Sequence, residues 1–304
     1  MQGLESITAC CNAHSCSILP AELLSKHTTF RIGGACQAMV QIANREGLQA
    51  ILQCCQEQHL PWVVLGNGSN ILAADEGYHG IVLQLGRAFS NVRQLDETTL
   101  FCEAGATLSA VGKIALEACL TGMECLAGIP GTIGGAVYMN AGAYGGEIKD
   151  IIVSADVLMS DGTVVKLTRD ELELSYRSSI IQKEKMIVLS AEFALKKGNK
   201  SEILDKMKDF SQRRRDKQPL EYASAGSTFK RPEGYFAGKL IDDAGLRGYR
   251  VGNVMVSEKH CGFVVNMGGG TCEEAKAVIN HVREEVEKQF GVTLEMEVRK
   301  LGWN

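Results

Sequence analysis

Gly128-Ile129-Pro130-Gly131-Thr132-Ile133-Gly134-Gly135-Ala136, continuing to Asn140-Ala141-Gly142-Ala143-Tyr144-Gly145-Gly146, is a glycine-rich segment in a chain with 33 glycines and only 5 prolines. Glycine lacks the Cβ that bars other residues from half of backbone space, so successive N–H groups in such a segment can turn toward one anion. A second segment of this kind, Leu65-Gly66-Asn67-Gly68-Ser69-Asn70, directly follows the strand-like run Trp62–Leu65. Neither has the G-x-x-x-x-G-K-[ST] spacing that sets a lysine on a terminal phosphate. Neither reads G-x-G-x-x-G at a helix start with an acid about 20 residues further on, the mark of a nicotinamide-dinucleotide domain. Singly, each segment is equally well read as tight turns, for which glycine is the default. Together they favour a dinucleotide whose internal diphosphate is held by backbone dipoles, a description that FAD meets.

Outward from these segments, strands and helices alternate irregularly. Strand-like runs at Ala38–Ile42, Trp62–Leu65 and Gly80–Leu85 flank a helix over Glu46–Glu57, with Leu48, Ile51, Leu52 and Cys55 on one face and Pro61 after it. Further on come a strand at Leu100–Glu103, a helix capped by Thr107 or Ser109 and ended near Gly122, a long glycine-rich loop, and strands at Ile151–Met159 and Met186–Phe193. Ser201–Gln212 reads as a helix running into the basic stretch Arg213–Lys217, a solvated helix end. Thr271 and Glu274 form a capping box ahead of Ala275, Val278, Ile279, Val282, Val286 and Phe290, with Gly291 as the stop. The pattern predicts an α+β fold. Its expected divisions are an irregular, cysteine-rich lead-in over 1–26, subdomains over 27–85 and 86–196, and a third region over 197–304.

Composition bounds the function. At 304 residues the chain exceeds one ordinary core. A net charge of -4 argues against a general nucleic-acid binder, which needs a basic face for counterion release. The eleven cysteines include no C-x-x-C, so reduced, buried thiols are expected and no metal site. No basic residue precedes Lys26 and no apolar run approaches a membrane span, so a cytoplasmic protein without a secretory signal or membrane partner is expected.

An ordered series of motifs then takes the reading further. It comprises His27-Thr28-Thr29-Phe30-Arg31-Ile32-Gly33-Gly34, Gly66-Asn67-Gly68-Ser69-Asn70, Ala127-Gly128-Ile129-Pro130-Gly131-Thr132-Ile133-Gly134-Gly135, Tyr176-Arg177-Ser178-Ser179, Ala225-Gly226-Ser227-Thr228-Phe229-Lys230 and Glu295-Met296-Glu297-Val298-Arg299. Over residues 27–301 this closely resembles the UDP-N-acetylenolpyruvoylglucosamine reductase (MurB) family. The resemblance implies two N-terminal FAD-binding subdomains of the vanillyl-alcohol-oxidase (PCMH) type and a C-terminal α+β subdomain for the UDP-sugar. The stretch between Arg177 and Lys197 has no room for the substrate-clamping loop of longer members, so the chain looks like the short, type II form. Met296 stands where the family usually has proline, and Ser178-Ser179-Ile180 departs slightly from the common form.

The resemblance also implies a reaction: NADPH reduces the flavin and leaves, and the enolpyruvyl sugar then receives a hydride at C3 and a proton at C2. Ser227 matches the proton donor. Arg177, a guanidinium fork suited to a carboxylate, and Glu297 match the residues that stabilise the enolate. Cofactor contacts are expected from Arg31, Gly66, Asn67, Gly68, Ser69, Asn70, Gly128, Ile129, Pro130, Gly131, Gly134, Gly135 and Asn140, and diphosphate contacts from Lys230 and Arg231. A monomer is expected. His260 reads as a satisfied structural residue and Cys261 as core. Two other readings stand beside this one. An FAD-dependent oxidase or hydroxy-acid dehydrogenase of the same fold would need a base that a serine beside a glycine does not supply. A UDP-sugar transferase or binder would carry no flavin.

Overall fold

The computed structural model describes residues 2–303. They form two compact units that interleave along the chain. One gathers the residues up to Leu19 with Met39–Gly66 and Ile81–Arg213; the other gathers Pro20–Ala38, Asn67–Gly80 and the chain from Arg214 onward. The expected divisions at 26/27, 85/86 and 196/197 are consecutive pieces, whereas these units are built from separated ones.

In the first unit, helix α1 (Gln2–Ala13) packs on α2 (Arg45–Glu57). The lead-in is therefore helical, not irregular. Ile7 and Cys11, one turn apart, are wholly buried, because a free cysteine packs as a small apolar side chain. Asn44 caps α2 by accepting Gly47 N–H through Oδ1 at 2.7 Å, and Leu48, Ile51 and Cys55 are buried as their spacing predicts. Trp62–Leu65 pairs in parallel with Ile81–Gln84. A five-stranded antiparallel sheet follows, in the order Val164–Thr168, Ile152–Leu158, Ile187–Ala194, Thr99–Glu103, Val92–Gln94. Helix α3 (Leu108–Glu117) is capped by Thr107 and ends at Ala118, short of the expected Gly122.

The glycine-rich stretch after α3 is not all loop. It contains α4 (Ile133–Met139), which packs on the strands Ile187–Ala194 and Thr99–Glu103. Gly134 and Gly135, poor interior residues, sit in its first turn, where a Cβ on Gly134 would come 3.1 Å from that of Ala104. Helices α5 (Ile180–Lys183) and α6 (Lys200–Lys217) complete this part.

In the second unit, α7 (Ala237–Asp243) and α8 (Cys272–Phe290) share one core with Phe30, Ile32, Leu72 and Phe229. Both halves of the capping box are formed at α8: Thr271 accepts Glu274 N–H, and Glu274 accepts that of Thr271, each at 3.1 Å. Gly291 closes the helix at φ 66°. The sheet of this unit is antiparallel, in the order Ala223–Ser224, Val264–Asn266, Val254–Val256, Arg250–Val251. The C-terminal strand Arg299–Leu301 pairs in parallel with Ile71–Ala73. This register sets the last motif beside Asn70, the end of the second.

Candidate active site

Thr132 is where the glycine segments meet in the first unit. It is buried, its Oγ1 accepts Gly135 N–H at 3.4 Å, and a Cβ on Gly66 would lie 2.6 Å from that oxygen. Only glycine lets the first segment pass this close. The segment from Gly128 is less open to an anion than its composition suggested. The N–H groups of Ile129, Gly131, Ile133 and Gly134 already donate to the carbonyls of Leu126, Ile129, Ala106 and Ala104, and Pro130 has none to give. Gly128, Pro130 and Gly135 are exposed along this stretch.

Arg177 occupies a two-residue turn in the same unit. Ser175 and Ser178 exchange both backbone hydrogen bonds at 3.1 Å, which leaves Tyr176 and Arg177 at the tip. Arg177 takes φ 55°, a conformation that costs a non-glycine residue energy. Its Nη2 donates to Gly142 O at 3.4 Å, and its carbonyl accepts Gln182 Nε2 at 3.2 Å. Asn140, expected among the cofactor contacts, is wholly buried, and both its amide protons go to protein acceptors: Glu147 Oε2 at 2.9 Å and Ser175 O at 3.0 Å. Its Oδ1 accepts Lys149 N–H at 2.9 Å. Its side-chain donors therefore serve the fold rather than a ligand.

The second unit carries Ser227 and Glu297 on adjacent extended segments. Phe229 and Met296 form an antiparallel bridge, flanked by Glu297 N–H donating to Thr228 O at 2.9 Å and Lys230 N–H donating to Glu295 O at 2.8 Å. Thr228 is the pivot: it is buried, its N–H donates to Gly262 O, and its Oγ1 accepts Val264 N–H, each at 2.9 Å. Ser227, one residue earlier, is exposed. Asn70 Nδ2 donates to Glu297 O at 3.1 Å, and Asn70 O accepts Arg299 N–H at 2.9 Å. A Cβ on Gly226 would sit 4.0 Å from Ser69 O. The loop Asn67–Asn70, the Ser227 segment and the Glu297 segment thus converge.

That loop fits a diphosphate. Gly68 is buried at φ 61°, and the N–H groups of Gly68 and Ser69 donate to no protein acceptor among the described residues. A buried amide without a partner is costly unless something else accepts from it. The half-buried Ser69 follows Gly68, so two successive amides without a protein acceptor among the described residues, the first on a left-handed glycine, are donors of the kind an anion nest uses.

The remaining predicted residues are more engaged. Lys230 Nζ holds Glu295 Oε1 at 2.5 Å. The Arg231 guanidinium lies 3.9 Å over the Phe236 ring. Arg31, at φ 56°, lines a cavity of about 300 Å³ with Tyr222, Asn266 and Gly268. Asn266 anchors it by donating to the carbonyls of Phe30 and Arg31 at 3.0 and 3.4 Å. His260 is structural: its Nδ1 accepts Gly262 N–H at 3.1 Å, and burial holds its pKa below the ordinary value. Cys261 lies in the core, its pKa pushed up to about 11 by burial. All eleven thiols are free.

With this geometry in hand, known proteins separate the possibilities. Residues 218–301 match the C-terminal domain of UDP-N-acetylenolpyruvoylglucosamine reductase, and residues 36–168 match an FAD binding domain. The chain is 57% identical over 294 residues to the UDP-N-acetylenolpyruvoylglucosamine reductase of Lachnoclostridium phytofermentans, covering 92% of each chain. The chain belongs to the UDP-N-acetylenolpyruvoylglucosamine reductase family. A second family member, from Agathobacter rectalis, is 49% identical over 94% of each chain. The crystal structure of the Thermus caldophilus enzyme superposes with a TM-score of 0.80 at 34% identity, covering 94% of this chain and 98% of that one. The protein is thus an FAD-binding oxidoreductase, with an FAD-binding portion of the PCMH type followed by the family's C-terminal domain. The short form of this reductase family matches its length.

The expected site residues do not include those that hold them in place. Thr132, Thr228, Asn266 and Gln182 each fix a backbone on which an expected site residue stands. Thr132 left a trace in the sequence: a threonine ahead of an apolar run is a helix start.

Proposed function

We propose that this chain uses NADPH to reduce the enolpyruvyl group of UDP-N-acetylglucosamine enolpyruvate to the lactyl ether of UDP-N-acetylmuramate, in cytoplasmic assembly of peptidoglycan precursors. It would do so as a monomer, with residues 27–85 and 86–196 holding FAD and 197–304 holding the UDP-sugar. The observation that carries this reading is the meeting of the Asn67–Asn70 loop with the Ser227 and Glu297 segments. The Gly68 and Ser69 amides, without a protein acceptor among the described residues, belong to a loop that meets the segments carrying the exposed Ser227 and the half-buried Glu297.

When bound, FAD would supply two-electron hydride chemistry between NADPH and carbon. The Gly68 and Ser69 amides would hold its diphosphate. The substrate's carboxylate is gripped by Arg177, whose planar guanidinium fork matches a carboxylate. Hydride addition at C3 pushes electron density onto C2 and that carboxylate. Arg177 and Glu297 stabilise this density, Glu297 as a hydrogen-bonded acid. Ser227 Oγ–H gives its proton to C2, and the alkoxide left behind recovers one from solvent. A serine hydroxyl is a weak acid, but the enolate is a far stronger base than a carboxylate, so an aligned transfer can run downhill. Lys230 and Arg231 take the UDP diphosphate, Lys230 exchanging Glu295 for it.

The test is the product. Incubated with NADPH and the enolpyruvyl sugar, the purified holoenzyme should yield a UDP-sugar heavier by two hydrogen atoms, with NADPH oxidised in equal amount. Unchanged sugar, or oxidation of NADPH without sugar reduction, would refute the proposal.

A further inference from the structure

We infer that Asn140 is a positioning residue for Arg177, coupling the C-terminal end of α4 to the turn that presents the guanidinium. This rests on the proposed role of Arg177 and adds a residue that acts only through it. Asn140 caps α4 in the left-handed region at φ 42°. Its amide reaches two structures that converge on Arg177. One proton goes to Ser175 O, the residue that opens the Arg177 turn. The other goes to Glu147 Oε2, on the far strand of the hairpin Gly142–Glu147, whose Gly142 carbonyl accepts Arg177 Nη2. One buried side chain thus ties down both the backbone beneath the guanidinium and the carbonyl that orients it.

The rest of the turn is braced from α4 as well. Tyr138 O accepts Ser179 Oγ at 2.7 Å and Gln182 Nε2 at 2.6 Å, and the same Gln182 amide donates to Arg177 O. Since Arg177 is held at a positive φ, its conformation must be imposed by its surroundings. The Ser175 carbonyl is one of the points where that is done. With Asn140 removed, the turn can relax toward an ordinary backbone and swing the guanidinium off the carboxylate. A misplacement of about 1 Å at a reacting centre costs about 10²-fold in rate.

The left-handed φ dictates the variant. Asn140→Gly keeps the backbone and deletes the amide, whereas alanine would add strain of its own. Anaerobic stopped-flow on the holoenzyme gives the readout: reduction of the flavin by NADPH, then its reoxidation by the enolpyruvyl sugar. Asn140→Gly should retain flavin and leave the first step within about twofold, while slowing the second by about 10²-fold with a raised KM. Asn140→Asp, which keeps shape but replaces the donors with a charge facing Glu147, should not rescue it. The decisive comparison is in the Arg177→Ala background, where adding Asn140→Gly should cost less than about twofold further. Additive losses, or equal slowing of both steps, would overturn the inference and make Asn140 a general fold residue. Reoxidation by the sugar that is absent even in the unaltered protein would instead refute the proposed function.

Discussion

Gly68→Ala puts a methyl group where the backbone has no space. The new Cβ would lie 2.1 Å from His27 O and 2.8 Å from Thr28 Cα, at φ 61°. The left-handed conformation costs alanine about 1–2 kcal/mol, and relieving an overpacked contact adds about 1–3 kcal/mol, so the expected loss is about 2–5 kcal/mol. Gly162→Ala is an internal reference: its φ is 87°, but nothing lies within 4 Å of an added Cβ. Only the backbone cost, about 1–2 kcal/mol, then remains. Urea unfolding of the flavin-free protein should resolve the two. Because the proposed diphosphate donors are the amides of Gly68 and Ser69, Gly68→Ala should also weaken FAD binding at least about tenfold, a loss of about 1.4 kcal/mol, with Gly162→Ala unchanged. Equal destabilisation by both variants, or unaltered FAD affinity of Gly68→Ala, would refute the reasoning.

Ser227→Ala should leave flavin reduction by NADPH near its original rate while slowing sugar reduction by about 10²–10⁴-fold, read as two half-reactions; equal losses would make Ser227 structural. Thr271→Ala removes one half of the α8 capping box and should cost about 1 kcal/mol in urea unfolding without changing FAD content. His260 is kept neutral in the folded chain, whereas the unfolded chain protonates it near its ordinary value of about 6.5. Stability should therefore fall as pH drops below about 6.5, and His260→Gln, which can still accept Gly262 N–H, should flatten that part of a Tm–pH curve. Burial pushes the Cys55 and Cys102 thiols up to about 12, so both should resist a thiol-specific disulfide reagent at pH 8 in the native protein and react on unfolding.

Helices with conventional ends were legible in the sequence. The Thr271–Glu274 box marks the start of α8, and the spacing of Leu48, Ile51 and Cys55 with Pro61 beyond marks α2. Helix α1 was hidden because Cys10 and Cys11 did not register as an apolar face, and α4 because Gly134-Gly135 disguise a first turn in which Gly134 packs closely on Ala104. The interleaving of the units was not readable either. It depends on pairing Arg299–Leu301 with Ile71–Ala73, and no local pattern encodes a partner so remote in sequence. At the site, the ordered motifs gave the residue types, and the register of Phe229 on Met296 explains why two of them adjoin. The amide of Asn140 looked like a ligand contact because a sequence displays donors without their acceptors.

On the proposed function, a single flavin serves two substrates in turn. Holoenzyme mixed anaerobically with one equivalent of NADPH should lose its yellow colour, and adding the enolpyruvyl sugar should restore it with one turnover of product. A preparation that bleaches with NADPH but stays colourless when the sugar is added would contradict the account.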